Sequence, residues 1–226
     1  MKTQKWHELL DELRTVFSGR NSFLDAVLPP IIFLLVNGLV GFQAAMWSAL
    51  ITATVIAMAR IIHKQSVLYA LAGIGSVGIA ICVAWFLGKS EGFFLPGLIS
   101  GSMTLLLTIV SLAIRRPMVA WTSFIARRWP LDWYWHPQVR PAYSEVTFAW
   151  MLFFGARLLL QFSLFQNERV NVLAFTNFIT GWPATILLLV FSYLYGTWRL
   201  VKLSGPSVDE FRNNTPAPWQ SQRRGF

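Results

Sequence analysis

Charge is scarce in this sequence: Asp, Glu, Lys and Arg together make 13% of its 226 residues, against about 25% in soluble domains. With 55% hydrophobic residues beside so little charge, the chain has too little polar surface to face water on every side. An ordinary soluble protein is excluded. Acids are scarcer still, ten against nineteen Lys and Arg. Carboxylate cages for cations and paired-carboxylate catalysis therefore have little to draw on. Cys82 is the only cysteine, which excludes an internal disulfide and a cysteine-rich metal centre. His7, His63 and His136 stand apart, with no Glu or second His at ligand spacing, so metal binding is not expected. No serine lies in a nucleophile elbow and no apolar run holds a carboxylate pair. The chain is expected to be no enzyme and to carry no cofactor.

What is present in quantity is apolar length. Six segments, Phe23 to Phe42, Gln43 to Ile62, Val67 to Leu87, Phe93 to Ile114, Tyr143 to Phe165 and Val172 to Leu200, each come near the roughly 20 residues a helix needs to cross a bilayer. The expected fold is all-α: a polytopic transmembrane helical bundle of about six spans over 23–203, with interfacial amphipathic helices. Pro29 and Pro30 remove backbone donors inside the first span. Its start is placed near Ser22, where Ser22 and Asp25 have capping-box spacing. A re-entrant hairpin over Phe23 to Ile62 would return both ends to one side equally well.

The cations order these spans. Lys2, Lys5, Arg14 and Arg20 precede the first, and Arg60 and Lys64 follow the second. Arg115, Arg116, Arg127, Arg128 and Arg140 separate the fourth from the fifth, and Arg199, Lys202, Arg212, Arg223 and Arg224 follow the sixth. Only Lys89 and Arg169 fall in the opposite loops. The positive-inside rule then puts both termini in the cytoplasm. Net charge of +9 comes from these loop cations rather than from a basic solvated domain, so nucleic acid is not an expected partner.

Three segments outside the spans have their own patterns. Over 1–22, Trp6, Leu9, Leu10, Leu13, Val16 and Phe17 recur at helical spacing. They predict an amphipathic helix on the membrane surface, or else a solvated helix packed on the protein's own loops. Glu8, Asp11 and Glu12 interrupt any signal-peptide core there. In the cytoplasmic loop 115–142, Trp121, Trp129, Trp133, Tyr134 and Trp135 interleave with arginines, which reads as anchoring at lipid headgroups. Met118, Trp121, Phe124 and Ile125 fit one face of a short flat helix started by Pro117. Residues 204–226 turn to Pro, Asn, Gln, Ser and Arg, the composition of a disordered basic tail held near anionic phospholipid at the cytoplasmic face. The lipid bilayer is thus the first expected partner, with membrane proteins or further copies of the chain as others.

"GIGSVG", Gly73 to Gly78, matches a dinucleotide fingerprint by spelling alone, because it sits inside a span with no preceding strand. Close helix approach explains it better. Ala72, Ser76 and Ala80 repeat every fourth position, as do Gly97 and Gly101.

The fifth span is different. Tyr143, Thr147, Trp150, Phe154, Arg157 and Gln161 form one helical stripe, aromatic at the cytoplasmic end and polar beyond. Arg157 lies about 12 residues, or roughly 18 Å, above the entry, where a bare guanidinium costs at least about 2.5–3.5 kcal/mol. Three reliefs compete. The side chain snorkels to the outer interface towards Glu168; or neutral groups such as Gln161, Asn37, Asn177, Thr180, Ser100 and Ser102 satisfy it; or it holds an anionic ligand. Arg157, Gln161, Asn37 and Asn177 form the candidate polar, ligand-binding cluster.

"LPPIIFLLVNGLVG" at Leu28 to Gly41, "FFLPG" at Phe93 to Gly97, "RRP" at Arg115 to Pro117 and "GWP" at Gly181 to Pro183 run in order with spaced Trp135, Pro137, Arg140, Tyr143, Thr147, Trp150, Arg157 and Gln161. As a set they resemble the bacterial, mostly actinobacterial, integral membrane family called domain of unknown function 3159. The resemblance covers about Leu24 to Lys202. It implies a polytopic helical bundle in a bacterial cytoplasmic membrane and assigns no activity. The family pattern has an asparagine near Gly101 that this chain lacks. Two functions stay open: a scaffold or accessory protein of the bacterial envelope, and a small anion or solute carrier or channel using the intramembrane arginine.

Overall fold

A computed structural model describes residues 20–64 and 67–226. Its elements, in order, are α1 (Arg20–Leu39), α2 (Phe42–Ile62), α3 (Val67–Leu87), a 3-10 turn (Ser90–Phe94), α4 (Leu95–Ala113), α5 (Met118–Arg127), α6 (Leu131–Tyr134), α7 (Arg140–Gln166), α8 (Val170–Thr180), α9 (Trp182–Leu203) and α10 (Val208–Arg212). The described residues contain no strand. Among the described residues, five stretches are long and apolar enough to cross a membrane: Phe42–Ile62, Ala70–Leu87, Glu91–Ala113, Arg140–Gln166 and Val170–Leu203. The fold is all-α and polytopic. α1, outside those five, has 20 residues, enough for about 30 Å at 1.5 Å per residue, and continues through Pro29 and Pro30. The surface helix expected over 1–22 falls on residues before Arg20, outside the described ones.

The last expected span is not continuous. α8 ends at Gly181 and α9 starts at Trp182, because Pro183 lacks an N–H and suits the first turn of a new helix rather than the middle of an old one. A side chain at Gly181 is also excluded, since its Cβ would stand 2.7 Å from the Asn177 carbonyl oxygen.

The described residues divide into two compact units, one comprising residues up to Ile99 with Leu160–Pro183, the other Ser100–Leu159 with Ala184–Phe226. The first is a stack of apolar helices. Gly41, at φ +112, turns the chain between α1 and α2, and α2 packs against both α1 and α3. Its contact face is Ala45, Ala49, Ala53 and Ala57, one small residue per turn, which lets backbones approach where lipid supplies no hydrophobic drive. Ala80 and Ala84 of α3 are buried in the same core with Phe33, Phe93, Phe94, Leu173 and Ala174. Phe33 stacks on Phe93 at 4.2 Å, with Phe94 edge-on at 6.0 Å. The small-residue stripe expected on α3 holds at Ala80 alone and is corrected elsewhere: Ala72, Gly73 and Ser76 are exposed, and nothing lies within 4 Å of a Cβ built at Gly73, Gly75, Gly78 or Gly97. The alanines of α2, with no glycine to advertise them, make the close approach instead.

The second unit is built differently. Trp133, Tyr134, Tyr143, Val139, Val146 and Thr147 are fully buried, and the polar side-chain atoms of Trp133, Tyr134 and Thr147 are paired. Trp133 Nε1 donates to the Pro206 carbonyl at 2.8 Å, and the Tyr134 hydroxyl shares a 3.2 Å hydrogen bond with Ser123. Val119 N–H donates to Thr147 Oγ1. Trp133 and Tyr134, expected at the membrane interface, are therefore core residues, because each polar handle finds a partner and burial costs little. α5 begins after Pro117 as expected, but Val119, Ala120 and Ser123 form its packed side. Trp121 and Ile125 stay exposed, at 40% and 71%.

The expected disordered tail is also corrected. Residues 204–226 fold back on this unit. Ser207 and Glu210 form a complete capping box at the start of α10. Glu210 also accepts from Gln220 N–H, and Gln222 accepts from Val208 N–H. Trp219 packs edge-on against His136 at 5.4 Å. Composition pointed to disorder because few of these residues are apolar; backbone and side-chain hydrogen bonds order the segment instead.

Candidate functional site

α7 carries the stripe that the sequence predicts. Tyr143, Thr147 and Gln161 are buried, while Trp150, Phe154 and Arg157 are half-buried. All but Gln161 lie in the second unit. Thr147 Oγ1 donates back to the Tyr143 carbonyl at 2.7 Å, and Trp150 Nε1 donates to Ser192 Oγ on α9 at 2.8 Å. Trp150 also meets Phe154 edge-on at 5.9 Å. Trp150 is thus committed to packing, while the buried Tyr143 hydroxyl has no hydrogen-bond partner.

Of the four candidate polar residues, the structure joins two. Gln161 Nε2 donates to Asn177 Oδ1 on α8, a pairing of neutral amides that satisfies both in an apolar setting. Asn37 is half-buried near the end of α1. Arg157 has no hydrogen bond or ion pair with any described residue. Of the reliefs considered for it, the carboxylate of Glu168 is engaged by Lys89, and the Gln161 amide by Asn177. Lys89 has a raised pKa because it donates to Glu168, so its ammonium stays charged at neutral pH.

The pairing that sequence spacing missed is on α7 and α9. Arg199 grips Glu145 bidentately, Nε to Oε2 and Nη2 to Oε1, both at 2.7 Å, and Tyr195 OH donates to Oε2 at 2.8 Å. Both charged side chains are about a quarter to a third exposed. Their 54-residue separation leaves no local signal; the only hint was an acid and a base each near the basic end of its span. The fork geometry makes this a clamp between helices rather than a reactive carboxylate.

Cations at the same end lie over tryptophans: Arg116 over Trp135 at 4.3 Å, Arg127 over Trp129 at 5.0 Å and Lys202 over Trp198 at 5.1 Å. Burial raises the pKa of Tyr134, against a smaller lowering by its bond to Ser123, so the phenol stays neutral. Burial lowers that of His136, which accepts from Gln138 N–H at Nδ1. No group of three or more His, Cys, Asp or Glu among the described residues is arranged to hold a metal.

Compared with known proteins, the chain matches the family model described as "Protein of unknown function (DUF3159)" over residues 17–199. No curated protein and no solved structure matches it.

Proposed function

The chain belongs to the DUF3159 family of unknown function, and from that premise we propose a multi-pass protein of a bacterial cytoplasmic membrane that works by binding, as a scaffold or accessory protein of the envelope, without catalysis. The observation that carries this reading is the folded aromatic module of 118–143 and 204–226. It has a fully buried Trp133 and Tyr134 inside and Trp121 and Ile125 outside, directly after a helix long and apolar enough to span. Such a module is more than a membrane anchor needs, since anchoring takes only loose aromatics and cations. Its cations, Arg115, Arg116, Arg128, Arg140 and Lys202, face anionic phospholipid in this reading, with both ends of the chain cytoplasmic. Membrane proteins or further copies of the chain bind beside it. Photocrosslinkers at Trp121 and Ile125 in living cells, with exposed Leu187 of α9 as the lipid-facing control, test it. Discrete adducts at the first two positions support the reading, and bare protein at all three removes it.

A second reading rests on Arg157, whose guanidinium no described side chain pairs. It makes the protein a small anion or solute carrier or channel, with Arg157 as the charge contact. Arg157→Gln is expected to abolish anion-dependent thermal stabilisation and keep the fold. If no anion in a broad screen stabilises the wild type, this reading ends.

A further inference from the structure

Phe226, the last residue of the sequence, is almost completely buried. Its ring lies on Tyr143, centroids 4.3 Å apart and planes 8° from parallel, and Arg127 Nε donates to its backbone oxygen at 3.1 Å. Gly196 of α9 supplies the floor: a Cβ there would come within 2.3–2.4 Å of three ring atoms. Gly225, at φ +77, lets the chain enter, since a Cβ on it would stand 2.6 Å from Arg127 Nη1 and 3.1 Å from Trp129. These contacts define a slot with separate readers for a flat ring and for the acceptor beside it. The slot is not fully matched by its occupant. The Tyr143 hydroxyl, on the ring against which Phe226 lies, is buried and has no hydrogen-bond partner, a cost that a well-made core avoids. The segment leading in is polar, with Gln220, Arg223 and Arg224, and side chains exposed at several positions.

We propose that the slot formed by Arg127, Trp129, Tyr143 and Gly196 is a recognition site for an aromatic residue on a peptide segment of a partner protein, and that residues 221–226 occupy it as a displaceable internal ligand. The ring supplies apolar contact and stacking, and Arg127 reads the adjoining backbone oxygen or a carboxylate, the latter through a stronger charge-assisted bond. The tail thereby competes with the partner, and the site opens only to segments that bind better than a tethered phenylalanine. This deepens the binding reading above and is tested apart from it, because crosslinkers at Trp121 and Ile125 report a different surface.

The test uses the full chain in nanodiscs of zwitterionic lipid and, as probe, a fluorescent peptide of the sequence Ser-Gln-Arg-Arg-Gly-Phe, with an Ala-ended peptide as control for charge. Phe226→Ala should bind the probe saturably, and wild type about tenfold or more weakly, because its site is occupied most of the time. Adding Gly196→Val to Phe226→Ala should remove binding by filling the floor. Equal binding of the Phe-ended and Ala-ended peptides overturns the proposal, as does unfolding of Phe226→Ala, which would make the ring an ordinary core residue. Hydrogen exchange on the wild type gives an independent reading. Amides of 219–226 should exchange faster than those of α5, and equal protection overturns displaceability.

Discussion

Replacing Arg157 by leucine should make this protein more stable. An arginine at the centre of a membrane helix costs about 2.5–3.5 kcal/mol on insertion scales, and leucine is favourable by about 0.3–0.6 kcal/mol. The full difference applies only to a buried, unpartnered charge. Arg157 is without a partner among the described residues but half-buried, so part of the cost is relieved by reach towards water and headgroups. A gain of about 1–3 kcal/mol remains, or about 2–10 °C in melting temperature on the scale of soluble domains of this size. The measurement is thermal unfolding of both proteins in the same neutral lipid nanodiscs, followed by circular dichroism. Chloride is held constant, because a bound anion would stabilise only the wild type and mask the gain. A lower melting temperature for Arg157→Leu would refute the reasoning, since it would mean that the guanidinium is held by hydrogen bonds that leucine cannot make. A gain in stability would mark the arginine as kept at a cost, which is how residues retained for binding behave.

Trp133→Phe should destabilise by about 1–3 kcal/mol by orphaning the Pro206 carbonyl, and Trp133→Ala by about 3–5 kcal/mol by opening a cavity; a thermal melt of Trp133→Phe that matches the wild type would contradict the buried hydrogen bond. Glu145→Gln and Arg199→Gln should each lower the melting temperature, and the double variant should fall less than the sum of the two. Strict additivity would mean the bidentate pair is not coupled. His136 has a pKa below 6.5 in the folded state because burial opposes its charge. Its contribution is therefore present above the unfolded value and lost as pH falls through about 6.5 towards the folded value. His136→Gln should flatten the decline in melting temperature between about pH 7.5 and pH 5, and an unchanged decline would assign it elsewhere.

Helices, their order and the polar stripe on α7 were legible because they depend on local periodicity, which a chain carries in its spelling. Arg157 stood out for the same reason, as one charge in a run of apolar neighbours. Contacts between distant segments were not legible. The Glu145 to Arg199 clamp, the Trp150 to Ser192 bond and the seating of Phe226 each join residues far apart in sequence, and the types involved are common. Two errors had a physical cause in composition. Glycine-rich α3 looked like the close-packing helix, yet α2 makes the contact with alanines, because a methyl group still permits close approach and costs less helix stability than glycine. The tail looked disordered because apolar content was taken as the measure of order, whereas a capping box and Glu210, acting as acceptor for Gln220 and Ser207 N–H, hold it with very little apolar area.

The two units differ in the polar groups they bury, and this bears on where binding belongs. The first packs mainly through alanines and phenylalanines, with the Gln161 and Asn177 amides paired to each other, as suits helices that meet in hydrocarbon, where shape rather than water expulsion drives contact. The second buries the Trp133 indole and the Tyr134 phenol with their partners, as suits a core in which each donor and acceptor is costly to leave alone. A surface of the first kind recognises lipid or another apolar helix by fit. One of the second kind can discriminate by hydrogen bonds, because a wrong partner leaves a buried group unpaired. In the binding reading proposed above, specific recognition of a peptide or protein is assigned to 118–143 and 204–226, and Arg157, a charge in an apolar helix, selects by charge. Crosslinks confined to Leu187 and its lipid-facing neighbours would reverse that assignment.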